Sequence, residues 1–186
     1  MHTDPTKPNP NPWQQTYMGH RFYPANPKPE SIDIRDIAHG LSLLCRFAGQ
    51  IKRFYSVAEH SLFVANLLPP ELKLAGLMHD ATEAYLSDVP QPVKLLLPQY
   101  KILENLLSGV IESKFKFRLN DPLIKRADDI ALMTEAHQLL VDVPEGWGRQ
   151  EKPMDIELLP VDPFTVEKRF LSAFNHYTYL SNTHEG

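Results

Sequence analysis

Apolar residues recur every three or four positions along most of the chain after residue 33, and prolines or a glycine separate the segments with this spacing. Such spacing lines one face of an α-helix, and proline ends a helix because it has no amide hydrogen to donate. The pattern predicts helices over 33–48, 56–68, 71–86, 99–115, 121–140 and from 162 onward. No segment alternates apolar and polar residues over the length of a strand. The sequence therefore predicts an all-α fold, a compact single-domain helical bundle of about six main helices.

Residues 1–16 differ from the rest, because four prolines stand there among Asn, Gln and Thr. This composition buries too little apolar surface to offset the entropy lost on ordering. We expect a mobile tail over 1–16 and one domain over 17–186, beginning with an irregular segment, 17–29, packed on the domain. There is neither an apolar stretch long enough to span a membrane nor a signal-peptide pattern, so we expect a cytoplasmic protein with no membrane partner.

The single cysteine and the charge balance narrow the chemistry. Cys45 cannot form an intramolecular disulfide, so any metal must be held by histidines and carboxylates. The net charge of −4 comes without a block of Lys or Arg, which argues against nucleic acid as the main partner. A small anionic substrate needs only a few local cations, so such a substrate is compatible with this charge. The sequence does not decide whether the protein forms a homo-oligomer.

His60 lies on the predicted second helix, with Val57 three positions before it and Val64 four after it. It therefore belongs to the face that should point into the core. One interpretation is a core histidine hydrogen-bonded to a carbonyl, and the other is a metal ligand.

His79, Asp80 and Glu83 cluster on the predicted third helix, opposite the apolar stripe that contains Leu77 and Ala81. A cluster of this kind is typical of a solvated face. Small and apolar residues one turn earlier on the same side indicate instead that the helix is covered on both sides. A covered His-Asp pair needs partners, because unpaired buried charge is destabilising. Glu83 is then either a surface carboxylate or an acid-base group.

The consecutive pair Asp128 and Asp129 points about 100° apart on a helix, so only one can face a site. Asp128 shares the inward stripe of Ile124 and Ala131, whereas Asp129 follows Lys125 by four residues, a spacing that suits an exposed ion pair. The spacing selects Asp128 as the buried carboxylate.

Two imidazoles and two carboxylates form a mixed nitrogen and oxygen shell that suits one divalent metal ion. The sequence does not select among Mn, Co, Zn, Mg, Fe and Ni. Water bound to such an ion becomes acidic, with a pKa that can fall to about 7, and its hydroxide can attack phosphorus.

The ordered pattern of His60, then His79-Asp80-Ala81-Thr82-Glu83 with Asp88 five residues on, then Asp128 after Ile124-Lys125-Arg126-Ala127, resembles the HD-domain phosphohydrolases. It is similar to the short 5′-deoxynucleotidases and the small phage-type deoxynucleoside triphosphate triphosphohydrolases of that superfamily, over roughly residues 17–140. The resemblance implies an HD-type bundle, the metal ligands His60, His79, Asp80 and Asp128, and the catalytic carboxylates Glu83 and Asp88. It also implies that Arg46 and Phe47 contact the nucleotide.

Other candidate contacts keep two interpretations from the sequence. Arg46 lies beside His39 and Ser42, facing either a pocket or solvent. Lys94 either meets a phosphate or is a solvated loop lysine, and Trp147 either stacks on a base or anchors its own loop.

The leading hypothesis is metal-dependent hydrolysis of a phosphate ester or anhydride in a (deoxy)nucleotide. Removal of a 5′-phosphate and removal of triphosphate share the same metal chemistry, and the sequence does not separate them. The alternatives are a non-catalytic HD module that binds nucleotide or metal, and a hydrolase of an alarmone or a cyclic dinucleotide.

Overall fold

The computed structural model describes residues 11–143 and 151–184, and it is mostly helical, as the sequence predicts. The described residues form eight α-helices: α1 (Ile34–Leu43), α2 (Val57–Leu67), α3 (Lys73–Met78), α4 (Glu83–Leu86), α5 (Gln91–Lys94), α6 (Pro98–Phe115), α7 (Pro122–Leu139) and α8 (Pro163–His184). Short 3-10 turns lie at Pro29–Ser31, Arg46–Gly49 and Pro70–Leu72. The described residues contain eight rather than about six helices because the predicted helix over 71–86 is divided into α3 and α4, and α5 is an additional short helix before α6.

Several helices begin where the sequence predicts. The Asp33 side chain caps α1 by accepting from the amide of Arg35, and Asp121 caps α7 through the amide of Leu123. Ser56 and Glu59 form a reciprocal capping box at the start of α2. These local contacts satisfy amides that have no partner inside the helix.

The predicted helix over 33–48 is too long, because α1 ends at Leu43. Cys45 pairs with Ser56 in an isolated antiparallel bridge, and three left-handed residues follow, with φ of 55° at Phe47, 51° at Ala48 and 75° at Gly49. Left-handed geometry is strained for the two residues that carry a Cβ. The chain therefore makes a tight, strained turn before α2.

The predicted helix over 71–86 is also interrupted, at residues 79–82. There the amides of Ala81 and Glu83 bond three residues back, to Met78 and Asp80, rather than four. The His79 imidazole bonds to the carbonyl of Gly76, the group that an unbroken helix would use for the amide of Asp80. This tight turn places His79 and Asp80 between α3 and α4.

The structure corrects the all-α prediction at one place, because Gln14–Gln15 (β1) and Arg21–Phe22 (β2) form a two-stranded antiparallel sheet. The strands are too short to show as alternation in the sequence. Gly19, with φ of 83°, makes the connecting turn. The predicted tail falls mainly on residues 1–10, outside the described residues.

Helix α2 packs against α1, α3, α7 and α8 and carries buried residues on more than one face. Helix α8 covers it with an inward stripe at three-and-four spacing: Val166, Phe170, Phe174 and Tyr177. Fully burying one such large apolar side chain stabilises the fold by about 1.5 to 3 kcal/mol. Phe164 precedes this stripe and is exposed. None of the described helices is both long enough and apolar enough to cross a bilayer.

Candidate metal centre

His60 lies in the middle of α2 and is fully buried. Its Nδ1 is 2.7 Å from Oε1 of Glu135, a residue on α7, and its Nε2 points the other way. An ionised carboxylate only accepts hydrogen bonds, so Nδ1 carries the hydrogen and Nε2 presents a lone pair. The hydrogen-bond partner of His60 is therefore a carboxylate rather than a carbonyl. The second nitrogen of the His60 imidazole remains available to a ligand.

His79 has the same arrangement at the turn after α3. Its Nδ1 donates to the carbonyl of Gly76 at 2.8 Å, which leaves Nε2 without a hydrogen when the imidazole is neutral. Gly76 allows this placement, because a Cβ there would collide with Leu68 and would lie 3.3 Å from the Cα of Ala65 on α2. Close packing of α3 on α2 brings the two histidines together, with their Nε2 atoms 3.2 Å apart.

Asp128 completes the group from α7, with Oδ1 3.2 Å from Nε2 of His60. Lys125 donates to both Asp128 and Asp129, at 3.0 and 2.7 Å. The Asp129 side chain is 18% exposed and that of Asp128 25%, so the prediction that Asp128 is the more buried of the two is wrong, although Asp128 is the one that faces His60. The ligand atoms of His60, His79 and Asp128 all lie within 4.8 Å of one another.

The separations between these atoms suit one metal ion. Oδ2 of Asp80 lies 3.2 Å from Nε2 of His79 and 3.6 Å from Nε2 of His60. Bonds of about 2.0 to 2.2 Å in tetrahedral or octahedral shells place neighbouring ligand atoms roughly 2.8 to 3.6 Å apart. Two imidazole lone pairs facing each other also need a proton or a cation between them. The His60, His79 and Asp128 group could therefore hold a metal ion, and Asp80 borders it.

The pKa values show how strongly this group attracts positive charge. Burial opposes protonation of His79, but Asp80 and Asp128 raise its pKa to about 9. Burial also opposes ionisation of the two aspartates, yet the neighbouring imidazoles hold the pKa of Asp80 and of Asp128 well below the ordinary range. With no metal bound, protons on the imidazoles balance the carboxylates.

Glu135 is the site residue that the sequence analysis missed. It is fully buried, and while Oε1 accepts from His60, Oε2 accepts from Nε and Nη2 of Arg46 at 3.2 and 2.9 Å. Burial opposes its ionisation, but Arg46 and His60 lower the pKa of the carboxyl below its ordinary value. One signal was available, because Glu135 follows Asp128 by seven residues and so lies on the same inward face of α7.

Glu83 is buried at the start of α4. Its Oε1 accepts from Nζ of Lys94 at 3.2 Å, whereas Oε2 is buried without a partner among the described residues. Burial, together with the negative charges of Asp80 and Asp88, raises the pKa of the Glu83 carboxyl well above its ordinary value. Burial also raises the pKa of the half-buried Asp88. Both carboxyls that the sequence predicts as catalytic thus lie near Asp80.

Arg46 is buried and does not face open solvent. Besides its bonds to Glu135, its Nη1 lies 3.9 Å from Oδ2 of Asp80, and its guanidinium lies 5.3 Å from the centre of the Phe47 ring. Burial alone would lower the pKa of Arg46, but the negative charges of Glu135 and Asp80 outweigh burial, so the pKa lies above its usual value. Lys94 is likewise paired, with Glu83 and with Glu104 at 3.0 Å. Trp147 lies outside the described residues.

Together, the fold and this group define a mostly helical protein with a candidate metal site built from histidine and aspartate. No family model matches the chain. It is 39% identical over 171 residues to the uncharacterized protein YfdR of Escherichia coli, an alignment that covers 89% of this chain and 96% of that protein. It is 37% identical over 142 residues to an uncharacterized protein of Rhodobacter capsulatus, covering 68% and 72% of the two chains. The chain belongs to the YfdR family.

Proposed function

We propose that this protein is a metal-dependent phosphohydrolase of the HD-domain type that acts on a small nucleotide. The observation that carries the proposal is that Nε2 of His60 lies 3.2 to 3.6 Å from Nε2 of His79, Oδ1 of Asp128 and Oδ2 of Asp80. In this proposal His60, His79, Asp80 and Asp128 are the ligands. When bound, a divalent cation would lower the pKa of a water toward neutrality, and this water would be the nucleophile for attack on phosphorus.

Glu83 is the proposed general acid. A buried carboxyl whose pKa is raised holds its proton to a higher pH than an exposed one, and Oε2, which has no partner among the described residues, can direct that proton to a leaving oxygen. Asp88 adds negative charge beside it and so favours the protonated form. Lys94, bonded to Oε1, holds the carboxyl in place from the other side.

The charges at the site favour a phosphomonoester over a triphosphate. The cationic side chains Arg46, Lys94 and Lys125 are each paired with carboxylates of the chain. A phosphomonoester carries roughly two negative charges near pH 7, and a triphosphate carries more. A single divalent ion offsets the smaller charge more fully than the larger one. We therefore propose 5′-nucleoside monophosphates as substrates, with hydrolysis to the nucleoside and orthophosphate.

The test is a hydrolysis panel on protein stripped with a chelator and reloaded separately with Mn²⁺, Co²⁺, Mg²⁺ or Zn²⁺. Substrates are the 5′-mono- and triphosphates of deoxy- and ribonucleosides, with His79→Ala as the control. We expect orthophosphate from at least one monophosphate with wild type and none with the variant. Release of intact triphosphate would contradict the substrate class. Metal-loaded protein that hydrolyses nothing would contradict the enzymatic proposal and favour a binding module.

A further inference from the structure

One buried carboxylate joins the candidate metal site to the buried cation beside it. Glu135 accepts from His60 through one oxygen and from Arg46 through the other, at 2.7 and 2.9 Å. A carboxylate can accept at both oxygens, whereas an amide has one accepting oxygen and one donating nitrogen. This position therefore requires an acid, because both partners approach it with N–H groups.

We propose that Glu135 is a positioning residue that fixes the His60 imidazole with a hydrogen on Nδ1, so that Nε2 is the nitrogen that faces the metal site. The same carboxylate holds Arg46 at the edge of the site, with Nη1 toward Asp80. Carboxylates that orient a metal-binding imidazole typically raise metal affinity 10- to 100-fold. The inference rests on the proposed metal site but not on any reaction at it.

The sharpest variant is Glu135→Gln, which keeps the shape and removes one of the two acceptors. Its matched control is Glu167→Gln, because Oε2 of Glu167 bonds to Nδ1 of His39 at 3.0 Å, away from the site. We expect Glu135→Gln to bind Co²⁺ roughly 10 to 100 times more weakly in a calorimetric titration, and Glu167→Gln to bind it as wild type does. Equal affinity of wild type and Glu135→Gln would overturn the inference.

Two further measurements separate positioning from general destabilisation. In a His60→Ala background, Glu135→Gln should cause no additional loss of Co²⁺ affinity, because the effect passes through His60. In the unmodified protein loaded with Zn²⁺, nitrogen NMR should show the His60 hydrogen on Nδ1 and the metal on Nε2. Zinc on Nδ1 would refute the inference even if Glu135→Gln fails to fold. A protein that binds metal as described but hydrolyses no nucleotide would refute only the proposed function.

A separate observation concerns an apolar surface, here called the leucine surface. It consists of Val93, Leu95, Leu96, Leu97, Ile102 and Leu106, which are 43 to 79% exposed. Ile102 and Leu106 lie one turn apart on α6, and Gly109, the next residue on that face, has open space where a Cβ would stand. Another chain could therefore approach this face closely.

The size and charge of the leucine surface indicate its partner. These side chains expose on the order of 600 Å², the upper end for a patch on a monomer. One partner of a standard homodimer buries roughly 800 Å², of which about two thirds is apolar, so the surface supplies that area. The cations next to it, Lys94 and Lys101, are both paired with Glu104, which disfavours an anionic membrane. We infer that the leucine surface binds a second copy of this chain.

The test is the mass in solution by light scattering at tens of micromolar protein. Wild type should be a dimer, and Leu96→Glu and Ile102→Glu should each be monomers with unchanged helical circular dichroism. Leu159→Glu, at an exposed leucine elsewhere on the chain, is the control and should remain a dimer. A monomeric wild type, dimeric Leu96→Glu and Ile102→Glu variants, or cosedimentation of wild type with anionic vesicles would each overturn the inference.

Discussion

Two glutamate–histidine pairs in this protein have the same kind of hydrogen bond, between Nδ1 of the imidazole and a glutamate oxygen. They differ in burial and in the groups that surround the imidazole. His60 and Glu135 join α2 to α7 through Nδ1 at 2.7 Å, and both are fully buried. His39 and Glu167 join α1 to α8 through Nδ1 at 3.0 Å, and both are partly exposed. The His39 ring stacks on Tyr17 with 3.7 Å between the ring centres, whereas the second nitrogen of His60 meets another imidazole and two aspartates.

The comparison teaches that the pair itself does not make a metal site. A carboxylate on Nδ1 orients an imidazole in either setting, and in both it ties two helices together. Only at His60 do several further ligand atoms lie near the other nitrogen at separations that one ion can bridge.

The largest effect is expected from removing the second imidazole of the buried group. His79→Ala should lose stoichiometric metal and bring phosphate release to the background rate, because no other side chain replaces its Nε2. His39→Ala removes a histidine of the exposed pair and should keep both properties. Elemental analysis and a phosphate assay on the two variants check this. Full metal occupancy in His79→Ala would place the site elsewhere.

The second largest effect is expected on turnover, from removing the proposed acid proton of Glu83. Glu83→Gln keeps the neutral, buried shape but cannot donate the acid proton, so turnover should fall roughly 10² to 10⁴-fold while metal stays bound. Glu104→Gln removes the other carboxylate that holds Lys94 and should change turnover by less than about tenfold, because Lys94 keeps its hydrogen bond to Glu83. If Glu83→Gln empties the site of metal, Glu83 is a ligand rather than an acid.

The two adjacent aspartates of α7 provide a third contrast. Asp128→Asn should weaken Co²⁺ binding by roughly 10- to 100-fold or more, because Oδ1 faces Nε2 of His60. Asp129→Asn should leave Co²⁺ affinity close to that of wild type, because Oδ1 of Asp129 forms an ion pair with Lys125. If a calorimetric titration shows the larger loss of Co²⁺ affinity in Asp129→Asn, then Asp129 rather than Asp128 faces the site.

A smaller effect is expected from pH. The pKa of His79 is about 9 in the metal-free fold, above the value near 6.5 of an unfolded imidazole. Its contribution to stability is therefore complete below about pH 6.5 and is lost as pH rises through about 9. The free energy of unfolding in chelator should fall by on the order of 3 kcal/mol over this range, and Zn²⁺ should abolish the fall. Urea titrations at pH 6.5 and 9 test this, and a pH-independent value in chelator would contradict it.

The smallest effect is expected from the tail. Deleting residues 1–12 should leave melting temperature and turnover nearly unchanged, because it spares β1 and Tyr17. Deleting residues 1–20 removes the stacking partner of His39 and the bond from Gln14 to the carbonyl of Tyr85, and should lower the melting temperature. A large loss on the shorter deletion would show that the tail contacts the domain.

The sequence predicts those features that depend on residues close together in the chain, such as helix starts and helix faces. Caps at Asp33, Ser56 and Asp121 depend on neighbours within three residues, and the inward phase of Asp128 follows from helical spacing on one element. The inward stripe of α8 follows the same three-and-four spacing, and the exposed Phe164 lies outside it.

The sequence does not predict what depends on contacts between distant elements. The turn at 79–82 follows from a side chain bonding to a backbone carbonyl, and the hairpin of β1 and β2 is too short for any periodic signal. Glu135 was missed because a glutamate in a helix normally faces solvent, and only a histidine and an arginine from other elements make its burial favourable.

The bond between His60 and Glu135 spans 75 positions of the chain, whereas His60 and His79 are only 19 apart. Contacts between distant positions require the closure of a long loop and so form late. During synthesis, α2 and the segment with His79 and Asp80 leave the ribosome well before α7, so these groups can come together before Asp128 and Glu135 are present. We therefore expect the ion to be taken up only after α7 has docked. The amount of bound metal then measures the fraction of the protein that has completed folding.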